Sequence, residues 1–143
     1  ADDIRSQLIS EGSQLLIEQL KSGLDPVVPQ IGEATYAEKI DSSELRIDWS
    51  WSAHEISRLI RLGNAWTMFR GKRLKIHQAD VIDGDGPSSE IGSLVVTKNS
   101  ARVATGRGTL ELKIVQPEGK PRMDVVSWIN GNQPTHGEKL TSD

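Results

Sequence analysis

Six basic side chains, Arg58, Arg61, Arg70, Lys72, Arg73 and Lys75, fall within eighteen residues, and no acidic residue lies among them. A second run, residues 98–122, carries six basic against two acidic residues. Both lie in a chain whose formal net charge is −3. Two basic blocks in an acidic frame make an anion-binding face if the fold joins them, and the total charge conceals it. The chemistry open to them is phosphate contact, in which Lys and Arg displace counterions from a nucleic-acid backbone. The competing reading is a solvated face without a ligand. The strand-like stretches offer no Phe or Tyr suited to stacking, which points to a duplex or folded RNA backbone rather than single strands.

Other chemistry is thinly represented. His54, His77 and His136 fall in a helix start, a strand and the polar tail, and no two have a metal-ligand spacing. Asp83-Gly84-Asp85-Gly86 resembles a calcium loop, but Leu94 stands where the twelfth-position glutamate belongs, so a plain turn is expected. Gly106-Arg107-Gly108 is too short for a phosphate cradle and reads as a hairpin turn. Asp48, between Arg46 and Trp49, reads as a cap or ion-pair partner rather than a catalytic acid.

The elements that must position the basic blocks follow from periodicity. Ile4, Leu8, Leu15, Leu16 and Leu20, helped by Ile9 and Ile17, form the stripe of an amphipathic helix over residues 3–22, with Asp2 or Asp3 as a cap and Gly23 after its end. Residues 24–34 hold two prolines and a glycine and read as an extended connector, with Thr35 to Ile40 a strand or turn anchoring it. Ser52-Ala53-His54-Glu55 is a capping box opening a short helix that Gly63 ends. From Trp66 the period becomes two: a hairpin turning at Arg70-Gly71, strands over 91–98, 101–105 and 109–115, then a short helix from Met123 to Ile129 with Gly131 after it. Residues 132–143 are polar and expected to fray.

This pattern is mainly β. It predicts a small OB-like Greek-key barrel of five to six strands, with an N-terminal amphipathic helix, a capped helix before the barrel and a short C-terminal helix. The expected division is a helix over 1–23, a linker over 24–43, the barrel domain over 44–131 and a tail over 132–143. At 143 residues with 36% hydrophobic content, the chain supports one core, or one core with an appendage. It has no cysteine, which excludes disulfides, zinc thiolates and a cysteine nucleophile and suits a reducing cytoplasm. No signal peptide is visible, and no apolar run approaches the roughly 20 residues that span a bilayer.

The order of segments resembles the C-terminal region of the methionyl-tRNA formyltransferase family. The residues carrying the resemblance are Ala34 to Ile40, Glu44 to Ser50, Leu59-Ile60-Arg61, Ala65-Trp66, Leu74-Lys75-Ile76, Ala104 to Leu110, Val115 to Lys120, Met123 and Gly131. The first helix is similar to the last helix of that family's catalytic domain. The resemblance implies a parent enzyme that transfers a formyl group from 10-formyltetrahydrofolate to the amino group of methionyl initiator tRNA in the cytoplasm. The family's SLLP stretch, Asn and His pair and catalytic Asp are not in this chain, so a non-catalytic fragment partnered by an N-terminal catalytic domain is implied. The implied tRNA contacts are Lys39, Arg61, Lys75, Arg107, Lys120 and Arg122. Three departures stand out: Leu62-Gly63-Asn64-Ala65 lacks the family's prolines, Gly106-Arg107-Gly108 replaces Gly-Asp-Gly, and Gly119-Lys120-Pro121 replaces Gly-Lys-Lys. The alternative is a structural or interaction module of another formyltransferase-fold enzyme, without RNA binding. An exposed stripe on the first helix would also allow the chain to dimerise.

Overall fold

The computed structural model describes residues 2–23, 26, 28–29, 31–84 and 89–141. The chain forms two compact units, Ala1–Lys39 and Ile40–Asp143. In the first, helix α1 runs over Asp2–Ser22 and ends at Gly23, whose φ is +92°. Ile4, Leu8, Ile9, Leu15, Leu16, Ile17 and Leu20 are all more than half exposed on it. The capping role expected of Asp2 or Asp3 lies outside the described side chains. The segment around Tyr36 has no strand or helix, and Tyr36 is exposed, so the expected anchor is absent there.

The second unit is the barrel. Helix α2 spans Ala53–Leu62 and begins as the sequence requires: Ser52 Oγ accepts from the Glu55 amide, and the Glu55 carboxylate accepts from the Ser52 amide at 2.9 Å. Its buried face is Ala53, Ile56 and Ile60, and it stops at Gly63. Strands β1 (Trp66–Phe69) and β2 (Lys72–Ile82) form the expected hairpin. Its turn holds Arg70 at φ +50° and Gly71 at φ +70°, the two positive angles that let a two-residue turn follow the strand twist. Strands β3 (Leu94–Val96), β4 (Ala101–Ala104), β5 (Thr109–Pro117) and β6 (Met123–Asp124) complete a sheet of order β1-β2-β5-β4-β3, with β6 on β5. Six strands curled around one core, with flanking helices, make a mainly β, OB-like barrel.

Several boundaries differ from those expected. The strand read from Ile91 is only Leu94–Val96. The last helix, α3, is Val125–Asn132, not Met123–Ile129. Asp124 is its cap, accepting from the Ser127 amide at 2.8 Å, and Met123 pairs with β5 instead. Gly131 lies inside α3, and Gln133 in a left-handed conformation ends it. The closing segment does not fray: Leu140 is buried, Thr141 bonds both ways with Met68, and Lys139 bridges to Ser93. The expected loop through Asp83-Gly84 begins where described, but Asp85, Gly86 and Pro87 lie outside the described residues.

The core joins Leu74 and Ile76 of β2, Leu110, Leu112 and Val115 of β5, Ile56 and Ile60 of α2, and Trp128 of α3, which meets Phe69 edge-on at 5.1 Å. Ile47 and Trp49 are buried in it, so the segment before α2 is structural. The turn at Gly106-Arg107-Gly108 docks on that segment. Gly106 donates to the carbonyls of Trp49 and Trp51, both at 2.9 Å, and a Cβ at this position would lie 1.8 Å from the Ser50 carbonyl oxygen. Only glycine fits so close an approach.

Candidate nucleic-acid interface

The outward side chains of β2 alternate with its buried Leu74 and Ile76, which places Arg73 and Lys75 on one face. Pairing extends that face sideways. Lys75 opposes Trp66 of β1 on one side and Gln116 of β5 on the other, and Arg46 bridges to Trp66 beyond it. Arg46, Trp66, Lys75 and Gln116 therefore form one row across the sheet, about 14 Å wide at three strand spacings. Met68 opposes Arg73 in the next row.

These residues, with Pro117, Glu118 and Gly119, line a groove of about 610 Å³. Within it the Arg73 guanidinium lies 4.1 Å above the Trp66 ring centre. The ring is fixed from its edge, because Trp66 Nε1 donates to the Ser42 carbonyl at 2.8 Å. Lys75 Nζ donates to the neutral amide of Asn64 at 3.3 Å. Glu118 Oε2 accepts from the backbone amide of Arg73 at 3.0 Å. Gln116 has both ends engaged, with His77 at 2.9 Å and the Lys120 carbonyl at 3.0 Å.

Other members of the basic blocks are committed elsewhere. The Arg70 guanidinium donates to both oxygens of Glu138, to the Asn132 carbonyl and, at 3.4 Å, to the Gln133 carbonyl. That contact holds the Glu138 carboxyl below its ordinary value. Lys113 lies 2.7 Å from Glu111 and 3.4 Å from Asp80, and Arg102 lies 3.5 Å from Glu111. The Lys113 bond in turn lowers the Glu111 pKa.

Of the six residues expected to touch phosphate, Lys75 lines the groove. Lys120 and Arg122 are exposed on the β5–β6 loop, beside the groove-lining Gly119. Arg61 is exposed in the last turn of α2, the end that leads to Asn64. Arg107 is not with them. Its carbonyl accepts from Ala53 at the start of α2, and that ten-residue helix is about 15 Å long. Arg107 instead lines a smaller hollow of about 370 Å³ with Ser52, His54, Asp83, Gly84 and Gly108, where His54 Nε2 is 2.9 Å from Asp83 Oδ1. Lys39 closes the first unit. Arg46 and Trp66 are not among the residues expected to form the site, and Arg73 belongs to the first basic block but not to the six implied contacts. The two-residue spacing of Arg73 and Lys75 was a usable signal for one of them. Asp48 accepts from the amide and hydroxyl of Ser50, which lowers its pKa and gives it a turn-forming role. Among the described residues no cluster of three or more His, Asp or Glu could hold a metal. Among the described residues no helix is long and apolar enough to cross a membrane.

Residues 39–133 match the family described as "Formyl transferase, C-terminal domain". The chain belongs to that family. It is 38% identical over 128 residues to the methionyl-tRNA formyltransferase of Streptococcus thermophilus (strain ATCC BAA-250 / LMG 18311), covering 84% of this chain and 40% of that protein. It is 38% identical over 120 residues to the methionyl-tRNA formyltransferase of Streptococcus equi subsp. equi (strain 4047), covering 81% and 38%. The chain thus spans about two fifths of the length of these relatives. A similar fold occurs in HypX from Aquifex aeolicus, solved in complex with tetrahydrofolic acid, at a TM-score of 0.64 and 14% identity over 85% of this chain and 22% of that one. The formyltransferase C-terminal domain here keeps the groove apart from the ion-paired end of the same sheet.

Proposed function

We propose that this chain is the tRNA-binding C-terminal part of a methionyl-tRNA formyltransferase, acting in translation initiation in the cytoplasm. Its parent would move a formyl group from 10-formyltetrahydrofolate to the amino group of methionyl initiator tRNA. The exposed apolar face of α1 would pack on the parent's N-terminal catalytic domain, with 24–43 as the linker and the barrel beginning near residue 44. The observation that carries the reading is the groove, where Arg46, Arg73 and Lys75 converge beside an indole. Lys75 and Lys120 would contact phosphates there, with Arg122 and Arg61 at its margins. Lys39 and Arg107 would extend the contact along the tRNA.

The groove does not suit folate. It is open, and three cations and one carboxylate stand in its lining beside Trp66, Met68 and Pro117, whereas a cofactor slot encloses most of its ligand in apolar side chains. The formyl donor is therefore assigned to the parent's other part, and no chemical step is assigned to this chain.

Filter binding of initiator tRNA across a salt series tests the proposal. Contact with about six phosphates gives a slope of log K against log salt of about −4 to −5. The same fold in HypX means that fold alone does not confer RNA binding. Absence of binding at low salt would establish the structural-module reading in its place.

A further inference from the structure

We propose that the groove receives one unpaired nucleotide, its base stacked on the Trp66–Arg73 platform and its flanking phosphates on Lys75 and Arg46. This rests on the RNA reading above and narrows it, because the sequence pattern pointed to a backbone contact without stacking. Three observations carry it. First, Trp66 is on the outward face of β1 and only partly buried, while Thr67 and Phe69 on the other face are buried. Second, the Arg73 guanidinium carbon lies over that ring, 4.1 Å from its centre, and Arg73 is itself exposed. An arginine plane held by an aromatic ring is a stacking surface with an open outer face, and nucleobases use both kinds of plane. Third, the groove is divided by charge. Glu118 lies at the Arg73 end, with one oxygen turned to the Arg73 amide, and Met68 lies opposite Arg73. A phosphate is disfavoured there, while an uncharged base is not. Lys75 and Arg46 flank Trp66 on its two neighbouring segments, which puts the cations where the backbone would pass.

A paired base offers no free face, because both are covered by its neighbours in the stack. The platform therefore distinguishes a splayed or terminal nucleotide from a helix. The volume of about 610 Å³ lies in the range of roughly 300–1,000 Å³ typical of small-ligand sites.

The test compares a blunt RNA hairpin stem with the same stem carrying one unpaired 3′ nucleotide, using the full chain at fixed salt. The wild type should bind the overhang about tenfold more tightly, as one stacked base is worth. A 2-aminopurine at the unpaired position should lose fluorescence on binding. Arg73→Lys keeps the charge but loses the plane. It should lose most of the overhang advantage, read as the ratio of overhang to blunt-stem affinity within the same variant. Its circular dichroism checks that it folds, since Arg73 is a surface residue. Trp66→Leu, which also gives up the bond to Ser42, should lose the advantage too. Equal affinity of the wild type for both RNAs overturns the stacking inference and leaves the RNA reading standing. An overhang advantage that survives Arg73→Lys overturns it as well. Failure to bind either RNA overturns both.

Discussion

The two ends of the β2–β5 ladder carry similar residues and do opposite things. At one end Asp80 opposes Glu111, and Lys113 and Arg102 reach these carboxylates, so the charges close on one another. At the other end Lys75 opposes Gln116, its bonded partner is a neutral amide, and Arg73 lies on an indole. The same pair of strands thus presents a neutralised surface and a cationic one. A count of basic residues does not identify a binding face. What matters is how the register disposes the carboxylates: Lys75 faces the neutral Gln116, and the Glu118 carboxylate beside Arg73 accepts from a backbone amide.

Reversing the cationic end should have the largest effect. Arg73→Glu with Lys75→Glu should lower affinity for initiator tRNA about 100-fold or more at low salt, with the thermal midpoint little changed. A loss under about threefold would break the contrast. Removing one charge should do less. Lys75→Ala should cost about tenfold and make the salt slope shallower by about 1, across all RNA sequences alike. The neutralised end offers a gain instead. Glu111→Gln leaves Arg102 facing an uncharged amide and Lys113 with Asp80 alone, and tRNA affinity should rise by about twofold as Arg102 turns to solvent. A fall in affinity would mean that Glu111 supports the interface.

The smallest effect concerns pH. Glu111 and Glu138 are held below the ordinary value of 4.5, mainly by hydrogen bonds from Lys113 and Arg70. A carboxylate with a lowered folded-state pKa contributes stability above its unfolded value, and that contribution is lost as pH falls through the folded one. The thermal midpoint should therefore decline below about pH 4.5, and Glu138→Gln should flatten the decline. An unchanged acid limb would show that the Arg70–Glu138 pair does not link the hairpin turn to the closing segment.

Much of the fold was legible because the signals are local. The Ser52–Glu55 box, the Arg70-Gly71 turn and the strands after Trp66 need only neighbouring residues to be read. The apolar run through Met123 concealed the Asp124 cap, since Met and Val suit a helix as well as a strand. The outward position of Trp66 was not legible. Alternation normally puts the large apolar residue inside, but here Thr67 takes the inward place, its hydroxyl accepting from Trp49 Nε1 at 3.0 Å and donating to the Thr141 carbonyl at 2.8 Å. Those partners come from distant parts of the chain, including a segment whose polarity suggested fraying. The alternation in β5 also slips, with Val115 buried rather than Ile114, where the β2–β5 register is irregular between Ile76 and Ala79. The charge map located both basic blocks. It could not sort their members, because the pairing of Lys113 and Arg102 with Glu111 depends on that register.

The central claim is that one end of this ladder binds tRNA and the other does not. Salt titration of initiator tRNA binding to wild type, to the Arg46→Ala/Lys75→Ala variant and to the Arg102→Ala/Lys113→Ala variant tests it directly. Each pair removes two positive charges, so net charge is matched. The account predicts a slope shallower by about 2 for the first variant and an unchanged slope for the second. Equal changes in the two variants would contradict it.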